Sequence, residues 1–326
     1  MSSRCALLSS SGDPFTLLLG VKLFKERWYD EIDRLYINYN NYVQVPNDVV
    51  KDCLSKLVED PKIHLIYHPK GIGHGRPIIE LLNVATEDLV VLLEEDFYIF
   101  ESGVVDGYLK KIESGECDLL GSPRYAFGEV ADAAKVKYNL DYSGIGDKGM
   151  SWWPSGFYCK REDLLKTDLD FGSTLYPKGQ YFKELDHTFI EDAHTDTFAW
   201  TSLQLRYMGL KSIDIPQFHA SPNEIEEFNR KELKWVERPK YIHAGSLSAG
   251  WSGYLSGILP DLSNENAILE IETRCAFWTI ALGTVKEFDT FRGEYAKGID
   301  NLCKSAGLDD DRIYKKIQIY KELMNV

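Results

Sequence analysis

This sequence has no CxxC pair and no tight cysteine spacing. Its six cysteines, Cys5, Cys53, Cys117, Cys159, Cys275 and Cys303, lie far apart. That spacing excludes a zinc ribbon, and 326 residues can build a core without disulfide staples. They read as reduced core thiols. Basic residues are also scarce: 37 Lys and Arg stand against 51 Asp and Glu, a formal net charge of −14. Nucleic-acid affinity comes mostly from Lys and Arg, so a phosphate-backbone binder is a poor match. No apolar run reaches membrane-spanning length. The opening MSSRCALLSSSG is too short and too polar at its centre for a signal peptide. The expected location is the cytoplasm or another reducing compartment. There is no internal repeat and no low-complexity tract, and the glycines at 71, 73 and 75 do not give GxGxxG.

What is present is an alternation. RCALLSS (4–10), DRLYINYN (33–40), KIHLIYH (62–68), DLVVLL (88–93) and CDLLGSP (117–123) read as strands. Between them lie helical stretches, three of which open on proline, at Pro14, Pro46 and Pro77. Strand and helix in short units predict an α/β fold with a mostly parallel, helix-covered sheet. LVVLL is apolar throughout, as a strand buried on both faces must be. From about 124 to 190 the pattern is irregular and rich in Gly, Tyr and Trp. A helix is expected from Thr195 to Gly209, and GLKSIDIP reads as one more strand. After Trp251 the chain reads as helical, most clearly over ENAILEIETRCAFWTIALGTVKEF and DDRIYKKIQIYKELMNV. The expected division is a catalytic domain over 1–255, in halves 1–123 and 124–255, and a helical appendage over 256–326.

One run breaks the pattern. In DLVVLLEEDFYIF (88–100) a buried strand runs straight into Glu94, Glu95 and Asp96. In open α/β sheets ligands bind outside the carboxyl ends of the strands. Period-two alternation sends Glu94 and Asp96 to one side and Glu95 to the other. Paired carboxylates suit Mg²⁺ or Mn²⁺ when substrate phosphates complete the shell. A merely solvated acidic strand end is the plainer reading, but apolar flanks on both sides argue for a partner cation.

LVVLLEEDFYIF resembles the DxD region of GT-A-fold glycosyltransferases, here in an ExD form. The resemblance implies a GT-A-like sheet and a divalent cation, Mn²⁺ or Mg²⁺, held against the diphosphate of a nucleotide sugar. Other segments follow in the family's order. KGIGHGRPIIELLNVAT (70–86) resembles the glycine-containing loop and helix before DxD, with His74 and Arg76 as donor contacts. HTFIEDAHTDTFAW (187–200) resembles the later acidic motif that supplies the catalytic base. Glu191 and Asp192 fit by residue type, Asp196 by its distance to Gly209, and the choice stays open. YIHAGSLSAGW (241–251) puts His243 where a final metal ligand is expected, with His219 as competitor. The resemblance covers roughly residues 4 to 250. The departures are the Glu in place of the first Asp and the unresolved base.

The same resemblance implies a nucleotide over SSSGD (9–13) and INYNN (37–41). Ser9, Ser10, Ser11 and Asn38 would bind it, Tyr39 or Tyr42 would stack on the base, and Glu95 would join them. Each loop also reads as an ordinary polar turn. Trp152 and Trp153 in MSWWPSGFY (150–158) would meet a glycan or another hydroxyl-bearing acceptor. Two alternatives stand beside transfer. A sugar-1-phosphate nucleotidyltransferase would need a basic loop after the first strand, and SSSGDPF has none. A carbohydrate-binding protein without turnover is the other. AFWTIALG (276–283) reads first as a core helix face. A homo-oligomer contact through the C-terminal helices, or a membrane-surface contact, would be the alternative.

Overall fold

The computed structural model of the protein describes residues 2–324 except 13, 43–44, 100, 126–127, 140–147, 170, 216–240, 244–264 and 285–291. The first half runs β1 (Arg4–Ser10), α1 (Pro14–Arg27), β2 (Arg34–Asn40), α2 (Asn47–Ser55), β3 (Ile63–His68), α3 (Gly75–Val84), β4 (Leu89–Glu94), β5 (Phe97–Ile99), α4 (Val104–Glu113) and β6 (Leu119–Gly121). The middle holds β7 (Pro123–Tyr125), α5 (Gly128–Tyr138), β8 (Lys148–Trp152), β9 (Phe157–Lys160), α6 (Arg161–Leu165), β10 (Thr174–Tyr176), β11 (Tyr181–Phe182), β12 (His187–Thr188), β13 (Ala193–Thr195) and α7 (Ala199–Tyr207). Then come β14 (Ser212–Asp214), β15 (Tyr241–His243), α8 (Glu265–Thr284), α9 (Arg292–Ser305) and α10 (Asp310–Met324).

Among the described residues, seven strands form the main sheet in the order β14-β6-β9-β4-β1-β2-β3. All neighbours are parallel except at β9, which runs antiparallel to β4 and to β6. The fold is the expected α/β class: a mostly parallel sheet flanked by helices, with a helical C-terminal segment. The expected strand over GLKSIDIP is β14, at the edge beside β6.

Alternation along the central strands feeds two cores. Leu89, Val91 and Leu93 of β4 and Ala6 and Leu8 of β1 face one core, with α1, α2 and α4. Val90 and Leu92, with Cys5 and Leu7, face the other, with α3 and α7. This is why both strands are apolar at every position. A third, smaller cluster joins Val130, Ala133 and Ala134 of α5 to Tyr176, Phe189 and Leu203.

The C-terminal helices share the first core. Phe277 of α8 stacks on Tyr98 of β5 at 5.4 Å between ring centroids, and Tyr320 of α10 lies 4.5 Å from Phe277. AFWTIALG is accordingly a core helix face: Ala276, Phe277, Trp278, Ile280 and Ala281 are buried. Glu272 of α8 is buried beneath α10. Its carboxylate meets the Arg312 guanidinium at 2.9 Å and the buried Lys316 ammonium at 3.4 Å. Removing one partner of a buried pair leaves the other charge uncompensated. Glu272→Ala is therefore expected to cost about 2 kcal/mol, because half-exposed Arg312 can rehydrate whereas Lys316 cannot easily do so. Urea denaturation reads this. A midpoint equal to wild type would show that the ion pair contributes nothing.

Candidate functional site

Parallel strands deliver their carboxyl ends to one edge. The loops there follow β1, β2, β3, β4 and β6, and antiparallel β9 begins at the same edge. The acidic run sits at its centre. It is not one continuous strand. β4 ends at Glu94, residues 95 and 96 form a turn, and β5 starts at Phe97. The expectation that alternation carries Glu94 and Asp96 to one side fails here, because the chain leaves the ladder after Glu94. Three successive carboxylates inside a paired strand would press one of them into a dry core. The turn takes Glu95 and Asp96 out of the ladder, and both stay buried.

Each acid has its own setting. Glu94, half-buried, pairs in register with Ser9 and accepts a short hydrogen bond from Ser155 Oγ. Glu95 is only 4 % exposed and accepts the Ser11 backbone N–H at 3.3 Å. Burial, then the neighbouring charges of Asp96 and Glu94, pushes its carboxyl well above the usual carboxylate range. Asp96 is 5 % exposed. Such crowding of buried acids is what a divalent cation would relieve. Among the described residues no three His, Cys, Asp or Glu side chains converge as a metal cluster. His243 meets this site by backbone register: β15 runs antiparallel to β5 and pairs His243 with Phe97, next to Asp96. His219, its competitor, lies outside the described residues.

The serine loop closes over the acids. Ser11 Oγ lies 3.3 Å from His74 Nδ1, which joins the loop after β1 to the start of α3. Ser9, Ser10 and Asn38 are buried, and Ser10 Oγ has no hydrogen-bond partner among the described residues. Glu80, one turn into α3, is a hub that the sequence reading missed. It accepts from Asn38 Nδ2 at 2.9 Å and from Arg76 Nε at 3.2 Å, and lies 2.7 Å from His68 Nε2. Arg76 is thus tied to its own helix.

Tyr39 does not stack on a ligand. It belongs to the interior layer of β2, is fully buried and donates its hydroxyl to the Gly12 carbonyl at 2.9 Å. Tyr42, two residues past the strand end, is 54 % exposed and lines a cavity of about 760 Å³ with Asn41, Asn47, Pro69, Lys70 and Gly71. Gly71 is required there, since a Cβ would fall 2.9 Å from the Tyr42 Cα.

The tryptophans divide. Trp152 is fully buried, donates Nε1–H to Asp214 at 3.1 Å and carries the Arg206 guanidinium 3.9 Å above its ring. A side chain enclosed in this way is core and does not meet an acceptor. Trp153 is partly exposed, and its N–H donates to the Ser122 carbonyl at 3.0 Å.

The acids of 187–200 also divide. Asp192 is exposed and accepts the Lys178 N–H at 2.8 Å. The Glu191 N–H donates to Glu129 at 3.3 Å, alongside that of Ile190 at 2.8 Å. Both acids therefore border the third, smaller core. Asp196 is exposed and lies two residues before Phe198, the residue that immediately precedes α7. Phe198 has φ +70° and is fully buried. It packs on Phe157 at 4.9 Å and on Phe171 at 5.2 Å. Phe171 lies against Gly75, where a Cβ would meet its carbonyl carbon at 2.6 Å. Phe157 follows Gly156, which lies under the Phe97 ring beside Asp96. The ring contacts thus join the residue after the Asp196 turn to Phe157 and to Phe171, whose backbone lies against the glycine loop.

No family model matches this chain. No curated protein matches it by sequence. Two solved glycosyltransferases resemble it in structure. One is the mannosyltransferase PcManGT from Pyrobaculum calidifontis, in complex with GDP-Man and Mn²⁺. It is 12 % identical with a TM-score of 0.45, over 99 % of this chain and 86 % of that one. The other is glucosyl-3-phosphoglycerate synthase from Mycobacterium tuberculosis, in complex with phosphoglyceric acid. It is 14 % identical with a TM-score of 0.33, over 50 % of this chain and 58 % of that one. Both likenesses are distant. Among the described residues no helix is long and apolar enough to cross a membrane.

Ser155, Glu80, Phe198 and Gly156 are the site residues that sequence reasoning missed. Gly156 carried a faint signal, since PSG before an apolar run marks a turn.

Proposed function

We propose that this protein is a glycosyltransferase of the GT-A type, moving a sugar from a nucleotide-sugar donor to an acceptor hydroxyl. The observation that carries the reading is the turn Glu94-Glu95-Asp96: three crowded acids at the carboxyl end of a central strand, beneath the serine loop and beside the His243 register position. A second catalytic acid group on an adjoining loop gives the chemistry its base.

Asp96 and Glu94, with His243, would hold Mn²⁺ or Mg²⁺. Such a cation supplies positive charge against a leaving diphosphate. Ser155 fixes the Glu94 carboxylate by its hydrogen bond. Glu95 anchors Ser11, and so shapes the serine loop that would face the diphosphate. Tyr42 would offer its face to the base in the cavity after β2 and β3. The aromatic contact through Phe198 favours Asp196 over Asp192 as the base. Asp196 would take the proton of the acceptor hydroxyl, and attack opposite the leaving group would invert the anomeric carbon. Trp153 would border the acceptor.

A thermal-shift panel of UDP, GDP, CMP and dTDP sugars, each with and without Mn²⁺, tests the reading. One donor is expected to raise the melting temperature only with metal, by about 2.7 kcal/mol of linkage at a hundred times its Kd. No shift with any donor would sink it. Asp196→Asn is expected to lower kcat about a hundredfold and leave that shift intact, whereas Asp192→Asn leaves both unchanged. The reverse result would return the base to Asp192. A metal-dependent shift without turnover across acceptors would favour a binding protein.

A further inference from the structure

Asn41, Asn47 and Lys70 line the cavity of about 760 Å³ after β2 and β3, and one backbone N–H fixes the hydrogen-bonding sense of its wall. The Val45 N–H can only donate, so the Asn41 atom 2.9 Å from it is the amide oxygen, Oδ1. Asn41 Nδ2 therefore faces the other way, to the Val45 carbonyl at 2.6 Å and to Asn47 at 3.1 Å. The Asn47 atom that meets it must accept, and is Oδ1. The Tyr67 hydroxyl donates to that same oxygen at 2.6 Å. Both lone pairs of Asn47 Oδ1 are thus in use. What Asn47 has left is its Nδ2 group, with two donors and no acceptor.

Lys70 adds to this wall. Its ammonium carries three donors and no acceptor. The side chain is exposed and makes no ion pair among the described residues. Gly71 brings this stretch against Tyr42, since a Cβ there would fall 2.6 Å from Tyr42 Cδ2. Among the described residues no Asp or Glu lines the cavity. The Val45 and Pro46 carbonyls are engaged, the first by Asn41 Nδ2 and the second by the Val50 N–H at 3.1 Å. Apart from the Tyr42 hydroxyl, which can do either, the side-chain groups left to meet a ligand are donors.

We propose that this cavity selects the donor nucleotide by its base, taking one with a carbonyl where cytosine and adenine carry an amino group, and that Lys70 and Asn47 make the choice.

The inference deepens the glycosyltransferase reading and rests on it. Uracil O4, like that of thymine, and guanine O6 are acceptors, and guanine adds N7 on the same edge. Each receives a hydrogen bond from Lys70 or Asn47 while the base lies on the Tyr42 ring. Cytosine N4 and adenine N6 are donors. Turned to the same wall, an amino group meets another donor, and the ammonium charge repels its hydrogens. Both groups then lose water with no bond in return, and this cost separates the bases. A phosphate oxygen is an acceptor too. The two roles of Lys70 differ in what its loss does to the choice of base.

The test titrates UDP, CDP, GDP and ADP into the full chain with Mn²⁺ and reads Kd by calorimetry. In each pair that binds, the carbonyl member, UDP or GDP, is expected to bind about tenfold tighter than its amino partner, CDP or ADP. Lys70→Met keeps most of the side-chain length, removes the charge, and should narrow that ratio to about threefold. Asn47→Asp is the sharper variant. Its carboxylate still accepts from Asn41 and Tyr67, but it turns an acceptor to the base in place of the Nδ2 donors. The amino member of each pair should then gain about tenfold on the carbonyl member. Equal affinities within both pairs of the unmodified chain would overturn the inference and leave the transferase reading standing. So would a Lys70→Met variant that weakens every nucleotide alike with the ratio intact, which assigns Lys70 to phosphate. If none of the four binds, the transferase reading itself falls, and base selection with it.

Discussion

Asp96→Ala is expected to lower metal-dependent turnover of a nucleotide sugar by about three orders of magnitude, the scale seen when a charge-stabilising group is removed. The variant should not unfold. Asp96 is one of two neighbours whose charge opposes ionisation of buried Glu95, so its removal relieves the turn. In EDTA the melting temperature should therefore match or exceed that of the unmodified chain. With Mn²⁺ and the donor, the wild-type shift should disappear. Loss of activity and gain of metal-free stability together separate a ligand role from a structural one. If Asp96→Ala keeps both turnover and the Mn²⁺ shift, the metal assignment is wrong. Asp96→Asn is the milder companion, since it keeps the shape and removes only the charge.

Gly156→Ala is expected to cost about 4 kcal/mol of stability, from a left-handed backbone and overpacking combined. The backbone at Gly156 has φ +70°, and an added Cβ would meet the Phe97 ring at 2.6 Å. Neither strain has an easy outlet. Phe97 is buried, and the Gly156 N–H is already committed to the Leu92 carbonyl at 2.9 Å. Gly179 supplies the control, with φ +80° and open space where a Cβ would go. Gly179→Ala should cost only about 1 kcal/mol, the conformational part alone. Chemical denaturation of both variants isolates the steric part. Equal costs would mean that Phe97 moves aside freely. Because Phe97 follows Asp96 directly, Gly156→Ala should also weaken the Mn²⁺ shift.

Much of the sheet is legible because parallel strands buried on both faces are apolar at each position. RCALLSS and LVVLL could hardly be anything else, and β1 and β4 hold those places. β9 escaped notice for the opposite reason. FYCK is four residues long, begins after a glycine and sits amid aromatic loop sequence, yet it is central in the sheet. α9 was equally faint, since RGEYAKGIDNLCKS carries two glycines and many charges. At the site, residue order reveals the acidic turn, the serine loop and the glycine loop. Which side chains face outward depends on where each strand stops, and this separates Tyr42 from Tyr39 and gathers the acids in a turn. Nothing local marks Phe198, whose partners Phe157 and Phe171 come from other segments. The tie between Ser155 and Glu94 spans 61 residues and has no signature in either neighbourhood.

The reversed direction of β9 has a further consequence. β6 leaves the sheet at the ligand edge, and β9, running the other way, re-enters at that same edge. Everything from Ser122 to Gly156 is therefore an outing that starts and finishes at one doorway. Its base is latched by the β7–β8 ladder, in which Pro123 faces Trp152, and by the bond from Trp153 to Ser122. A segment with adjacent ends can be lengthened, shortened or exchanged at small entropic cost while the sheet keeps its register. The sheet would stay the fixed chassis, and this outing would be the part that recombination or design can swap.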